Sequence, residues 1–204
     1  MIQTLPMFPL GAVLFPSLVL PLHVFEPRYR ELTRECLAGD RRFGVVLIER
    51  GSEVGGGDVR FAVGTVAHIV EAAELPDGRF ALGTVGVERI RVVRWLQDDP
   101  YPRAEVESWA DPLATNALDE IHRENVSLLR RVLAMKAELR EMAAPATIEL
   151  STDAVLAGYQ AAAVAPLGPA DQQALLEAPS PEARATQLGT LLVEQEELLS
   201  FRLG

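Results

Sequence analysis

Cysteine, lysine and histidine are almost missing from this chain of 204 residues, and each shortage excludes a class of chemistry. The single cysteine, Cys36, rules out an intrachain disulfide and fits a reducing compartment, so a cytoplasmic location is expected. The single lysine, Lys136, follows Met135, and no Gly-Lys dipeptide occurs anywhere. A phosphate-binding loop of the form G-x-x-x-x-G-K-[ST] is therefore absent. The glycine run Gly55-Gly56-Gly57 leads into Asp58, with neither a lysine nor a helix after it, and is not a phosphate cradle. His23, His68 and His122 stand alone, without H-E-x-x-H or paired-cysteine spacing, so no metal site is expected. No cofactor is expected either.

Positive charge is also short. Nineteen basic residues face 29 acidic ones, for a net charge of −10. Residues 1–110 carry 12 Arg against 15 carboxylates and residues 111–204 carry 7 basic against 14 acidic groups. Neither part offers the basic face that phosphate neutralisation needs, which argues against nucleic acid as a partner. The one long apolar stretch, Leu5–Arg30, is cut by Pro6, Pro9, Pro16 and Pro21, and its first basic residue is Arg28 at the far end. That order suits neither a signal peptide nor a membrane span.

The same stretch is what the rest of the chain is organised around. Proline fixes φ and removes a donor, so the expectation is a set of short extended pieces (10–15, 17–20 and 22–25) with no continuous central strand. Glu26-Pro27 then opens a helix to Leu37, with Tyr29, Leu32 and Cys36 on its apolar side and Gly39 stopping it. Cys36 reads as an inert core thiol and His23 as a hydrogen-bonded core histidine. Phe43–Ile48 suits a strand buried on both faces, and Phe61–Leu75 a long one. Pro76-Asp77-Gly78-Arg79 is a turn, and Phe80–Leu96 continues as one long or two short strands with Gly83 and Gly86 at bulges or a bend. A last strand alternates through 104–108.

From Asp111-Pro112 the pattern turns helical. Leu118, Ile121, Asn125, Leu128, Val132, Met135, Leu139 and Met142 form a seam over about seven turns, ended by Pro145. Asn125 on that seam either fixes register or meets water. A second helix is capped by Ser151 or Thr152, a short third spans 170–177, and a fourth opens at Ser180-Pro181-Glu182.

The segments FPLGAVLFP, LPLHVFEPRYR, FGVVLIERGSEVG, VGTVAHIVE and DGRF, within residues 2–109, resemble the N-terminal substrate-binding domain of Lon proteases. The resemblance implies an α+β protein: an N-terminal PUA-like β pseudo-barrel with an early helix over residues 1–110, then a C-terminal α-helical bundle over 111–204. It also implies a non-catalytic module that binds unfolded or hydrophobic polypeptide segments, with a protease or chaperone as a further candidate partner. A Lon enzyme's ATPase and Ser-Lys peptidase both need lysines that this chain does not supply. A scaffold for one folded partner, an RNA-binding PUA-like protein and an orphan hydrolase are the alternatives. Phe25, Glu26, Arg28, Tyr29 and Arg89 are the candidate peptide-binding residues. Glu26 and Arg28 either lock the strand-to-helix corner by a salt bridge or cap, or rim an apolar groove. Arg89 matches a position that carries Arg in the family, and a structural ion pair is the alternative role.

Overall fold

The computed structural model describes residues 2–53 and 57–203, so part of the glycine-rich loop (Val54, Gly55 and Gly56) lies outside the described residues. Two compact units divide the chain at residues 110 and 111.

The first unit holds β1 (Ile2–Leu10), β2 (Val19–Val24), α1 (Pro27–Ala38), β3 (Arg42–Arg50), β4 (Val59–Glu74), β5 (Phe80–Trp95) and β6 (Arg103–Ser108). The strand order is β2-β5-β4-β3-β1-β6, and a further β5–β6 pairing closes the sheet into a barrel. Leu5 and Met7 of β1 join Val46, Val66, Ile90, Ala104 and Val106 as one buried cluster contributed by all five barrel strands. Phe8 and Leu10 belong instead to a cluster with Tyr29, Leu32 and Cys36 of α1, and with Phe43, Ile69 and Phe80. A strand buried on both faces reads as an unbroken apolar run, which is what Leu5–Leu10 is.

The prolines do not fragment that run as expected. β1 passes through Pro6 and Pro9 because it changes neighbour along its length. Residues 2–6 pair with β6 and residues 7–10 pair with β3. Met7 N–H donates to Pro102 C=O at 2.8 Å. Alternation puts the Pro9 nitrogen on that same edge, past the last residue paired to β6. The Pro6 nitrogen faces the other edge, before pairing to β3 begins. Each missing donor thus falls where no ladder bond is due. Residues 19–24 of the pieces expected at 17–20 and 22–25 form one strand, β2, the piece expected at 10–15 is not a strand past Leu10, and His23 lies exposed on β2 rather than in the core.

α1 starts at Pro27 and ends at Gly39, whose N–H donates to Glu35 C=O and Cys36 C=O, both at 3.1 Å. β5 is a single strand. A Cβ at Gly86 would collide with Phe15 C=O, since the backbone of 15–18 lies directly on it. Ser17 N–H donates to Gly86 C=O at 2.7 Å, and Gly86 N–H donates to Leu18 C=O at 2.9 Å.

The second unit holds α2 (Ala117–Glu138), α3 (Ala154–Val164), α4 (Pro169–Leu176) and α5 (Pro181–Leu203). α2 begins six residues after Asp111 and stops well short of Pro145. Arg140 takes φ 58°, its N–H donates to Ala137 C=O, and Glu141 N–H donates to Lys136 C=O. That is a Schellman termination with arginine in the place usually held by glycine, reinforced by a Lys136–Glu141 ion pair at 2.7 Å. Met142, expected on the seam, is fully exposed. α3 is capped by Asp153, which accepts from Leu156 N–H at 2.9 Å, rather than by Ser151 or Thr152.

Asn125 fixes the contact of α2 with α5. It is buried, and its Nδ2 donates to Ala185 C=O at 2.7 Å. A Cβ at Gly189 would lie 2.8 Å from Asn125 Oδ1, so only glycine lets α5 approach this closely. Arg184 is 1% exposed. It donates to Leu175 C=O at 3.2 Å and to Asp111 Oδ1 at 2.8 Å, and it lies 4.0 Å from the Tyr159 ring. Tyr159 Oη donates to the other Asp111 oxygen at 2.6 Å. Removing one partner of a buried pair leaves an uncompensated charge. Asp111→Ala is expected to destabilise the helical unit by about 3 kcal/mol, read as a lowered urea midpoint by circular dichroism. A change below about 0.5 kcal/mol would refute the structural role of this pair.

Candidate functional site

Strand β2 alternates, so Leu22 and Val24 turn inward toward Phe8 and Leu10 while the chain runs into the Phe25-Glu26-Pro27 corner. Pro27 suits the first helical position, and Arg30 N–H donates to Glu26 C=O at 3.0 Å to close the first turn. The corner leaves a pocket of about 180 Å³ between β2, the end of β1 and α1. It is lined by Phe8, Leu10 and Tyr29, by residues 21–26 in succession, and by Glu53 from the segment after β3.

One wall is an aromatic stack. Phe8 and Tyr29 lie 4.2 Å apart and within 13° of parallel, and the Arg28 guanidinium lies 4.5 Å from the Tyr29 centroid. Glu26 makes no side-chain cap; its carboxylate instead accepts from Arg28 Nε at 3.2 Å. Arg28 Nη2 also donates to Glu53 C=O at 3.2 Å, and Gly11 N–H donates to the Glu53 carboxylate at 2.5 Å. The charges at the mouth are thus occupied in holding its shape. Burial above all pushes the Tyr29 phenol up to about 12, so it stays a neutral donor at physiological pH.

The structure brings together four of the five candidate residues. Phe25 is 53% exposed at the mouth and Tyr29, 3% exposed, forms the wall. Glu26 and Arg28 pair beside them. Arg89 lies elsewhere. It sits on β5, 2% exposed, with its guanidinium 4.3 Å from the Trp109 ring, so it cannot meet a ligand at this pocket. Trp109 is also 4.1 Å from Arg91, and this stacking at the end of β6 explains an arginine at that place. Phe8, Leu10, Leu22 and Glu53 also line the pocket and are not among the sequence candidates. The FPLG and LPLHVF segments contain the first three, but only the fold puts β1 beside β2 and α1.

The thiol of Cys36 is not placed for nucleophilic attack. Cys36 is buried, its thiol donates to Arg42 C=O at 3.3 Å, and burial, with Glu35 and Asp40 adding, pushes it up to about 12. Among the described residues no cluster of His, Cys, Asp and Glu could hold a metal ion. Among the described residues no helix is long and apolar enough to cross a membrane.

A second ionic cluster anchors the start of β4. Arg60 Nε lies 2.5 Å from Asp58 and Nη2 lies 2.9 Å from Asp98, while its guanidinium is 4.8 Å from the Trp95 ring. Burial raises the Asp58 carboxyl, but the Arg60 hydrogen bond and charge outweigh this and hold it below its ordinary value. A depressed folded value means stability that is present above the unfolded value, near 3.9, and is lost as pH falls through the folded one. The stability gap between the natural chain and Asp58→Asn is therefore expected to be widest near neutral pH and to close below about pH 4. A gap that persists unchanged to pH 2.5 would mean the carboxylate charge contributes nothing.

The ATP-dependent protease La (LON) substrate-binding domain model matches residues 4–194, and so takes in the helical unit as well as the barrel. Similar proteins include the Lon protease of Trichlorobacter lovleyi, 28% identical over 98% of this chain, and Lon protease 2 of Myxococcus xanthus, 31% identical over 98%. This chain spans about a quarter of the length of these relatives, 25% and 24% respectively. Among solved structures, the Lon N-terminal domain protein from Xanthomonas campestris is 29% identical with a TM-score of 0.64. That match covers 91% of this chain and 96% of the other. The N-terminal domain of the Mycobacterium avium complex Lon protease gives a TM-score of 0.65 at 17% identity, over 96% and 98%, and supports the fold.

Proposed function

The chain belongs to the family of ATP-dependent protease La (LON) substrate-binding domains, and from that premise we propose that it is a non-catalytic module that holds exposed hydrophobic segments of other polypeptides. The observation that carries the reading is the pocket at the β2–α1 corner. It combines an apolar floor of Phe8, Leu10 and Leu22 with a half-exposed Phe25 at its mouth. An exposed phenylalanine beside a concave apolar surface is the usual mark of a recognition site. The net charge of −10 favours segments flanked by basic residues. The proposed setting is the cytoplasm, where unfolded chains, and the proteases or chaperones that handle them, would be the partners. No catalysis is assigned, because the chain has no Gly-Lys phosphate loop and its one thiol is buried.

Covering the exposed half of Phe25 on binding would contribute about 1–1.5 kcal/mol, which is about tenfold in affinity. A fluorescein-labelled peptide with a central phenylalanine and flanking arginines is expected to bind the full chain, and Phe25→Ala to weaken it about tenfold at unchanged melting temperature. Phe201→Ala, at an exposed position on α5, is expected to bind as the natural chain does. No binding by the natural chain at about millimolar peptide would end this reading.

A further inference from the structure

Among the described residues, strand β2 lies at the end of the strand order and pairs on one side, with β5 over residues 19–24. Which backbone groups face its open side follows from two bonds on the other. Gly86 N–H donates to Leu18 C=O at 2.9 Å, and Thr84 Oγ1 donates to Leu20 C=O at 2.7 Å. The even-numbered residues thus address β5. Alternation turns the backbone groups of Val19, Pro21 and His23 outward. That edge offers three carbonyls but two N–H groups, because Pro21 has none. The pocket borders the same edge. Its lining includes Pro21, Leu22, His23 and Val24 in unbroken succession, as happens where a backbone edge forms the wall.

Resting on the polypeptide-binding reading, we propose that the bound segment lies as an added strand along the open edge of β2, with one large apolar side chain seated in the pocket. The volume of about 180 Å³ slightly exceeds the roughly 150 Å³ of a cavity that holds benzene, so a phenylalanine or leucine side chain fits it. The neighbouring residue of an extended segment points to the opposite face. There it meets a trough of small side chains on the outer face of β2, β5 and β4, formed by Ala73, Ala81 and Gly83 beside the Glu71 carboxylate. A small or basic residue suits that position. The occupant is a segment of another protein rather than a second copy of this edge. Two copies of β2 would bring carbonyl-rich edges together with no donor at either Pro21, a known device against self-pairing. The ligand must therefore supply an N–H at each position facing β2, so proline is excluded there. Main-chain bonds supply affinity and the single pocket supplies selectivity.

The test is a backbone N-methyl scan of the phenylalanine-centred peptide, one amide at a time, with binding to the full chain read by fluorescence anisotropy. Methylation at every second amide is expected to weaken binding at least tenfold, and at the intervening ones less than twofold. Exchange of the His23 amide is expected to slow at least tenfold in saturating peptide, and replacing the central phenylalanine by alanine to abolish binding. If the peptide binds but the losses do not alternate, the added-strand geometry is overturned while the polypeptide-binding reading stands. A peptide-free dimer that protects the His23 amide would assign the edge to a second copy and overturn the proposal. Failure of the unmodified peptide to bind would remove both.

Discussion

β1 is bonded to β6 over residues 2–6 and to β3 over residues 7–10, and the barrel exists because one strand makes this change of neighbour. β6 is thereby carried round to β5, and the sheet that would otherwise end at β6 closes on itself. The change also determines which residues the strand can hold. A proline is tolerated wherever the ladder has just ended or not yet begun, and Pro9 and Pro6 occupy those places. With both faces of β1 buried, the barrel interior and the layer under α1 are joined through a single backbone.

The corner that follows β2 inherits its form from that arrangement. Phe8 comes off β1 on the α1 side, and Tyr29 stacks on it from the first turn of the helix. Arg28 covers Tyr29 and ties Glu26 to the backbone of Glu53. Charge at this place shapes the apolar concavity more than it lines it. The pocket is walled by that stack, and the neighbouring β2 is the strand at the end of the sheet order. Apolar volume and free main-chain polarity side by side are the two components by which an extended polypeptide is recognised irrespective of most of its sequence.

Two of the buried polar side chains in the helical unit, Asn125 and Arg184, tie separate helices together. Asn125 meets Ala185 C=O where Gly189 admits it, and Arg184 is held by Asp111, Leu175 C=O and the Tyr159 ring. Leu129 and Leu133 are buried beside the seam positions Leu128 and Val132, so the contact of α2 is broader than a two-position stripe. A broad apolar face alone permits sliding and rotation of one helix on another. Buried hydrogen bonds of fixed geometry remove that freedom, at the cost of strict dependence on each partner.

Most of the elements, and the family, are legible in local pattern. Proline at a first helical turn, glycine after a last one, period-two alternation and a 3.6-residue seam are all local signals. They placed α1 between Pro27 and Gly39, the turn at Gly78 and the start of α5 at Ser180-Pro181 from neighbouring residues alone. The absence of a Gly-Lys dipeptide was equally legible, since a phosphate loop is contiguous. Tertiary structure decided whatever depends on partners distant in the chain. β1 could run through two prolines only because β6 and β3 share it. Arg89 is held away from the pocket by Trp109, twenty residues later. α2 ended at a left-handed Arg140 well before the proline that marked its limit. The pocket is likewise built from β1, β2, α1 and Glu53, whose apolar and ionic contacts span up to 42 residues of sequence. Local pattern encodes backbone preference, but a concave surface exists only where separate segments fail to fill the space between them.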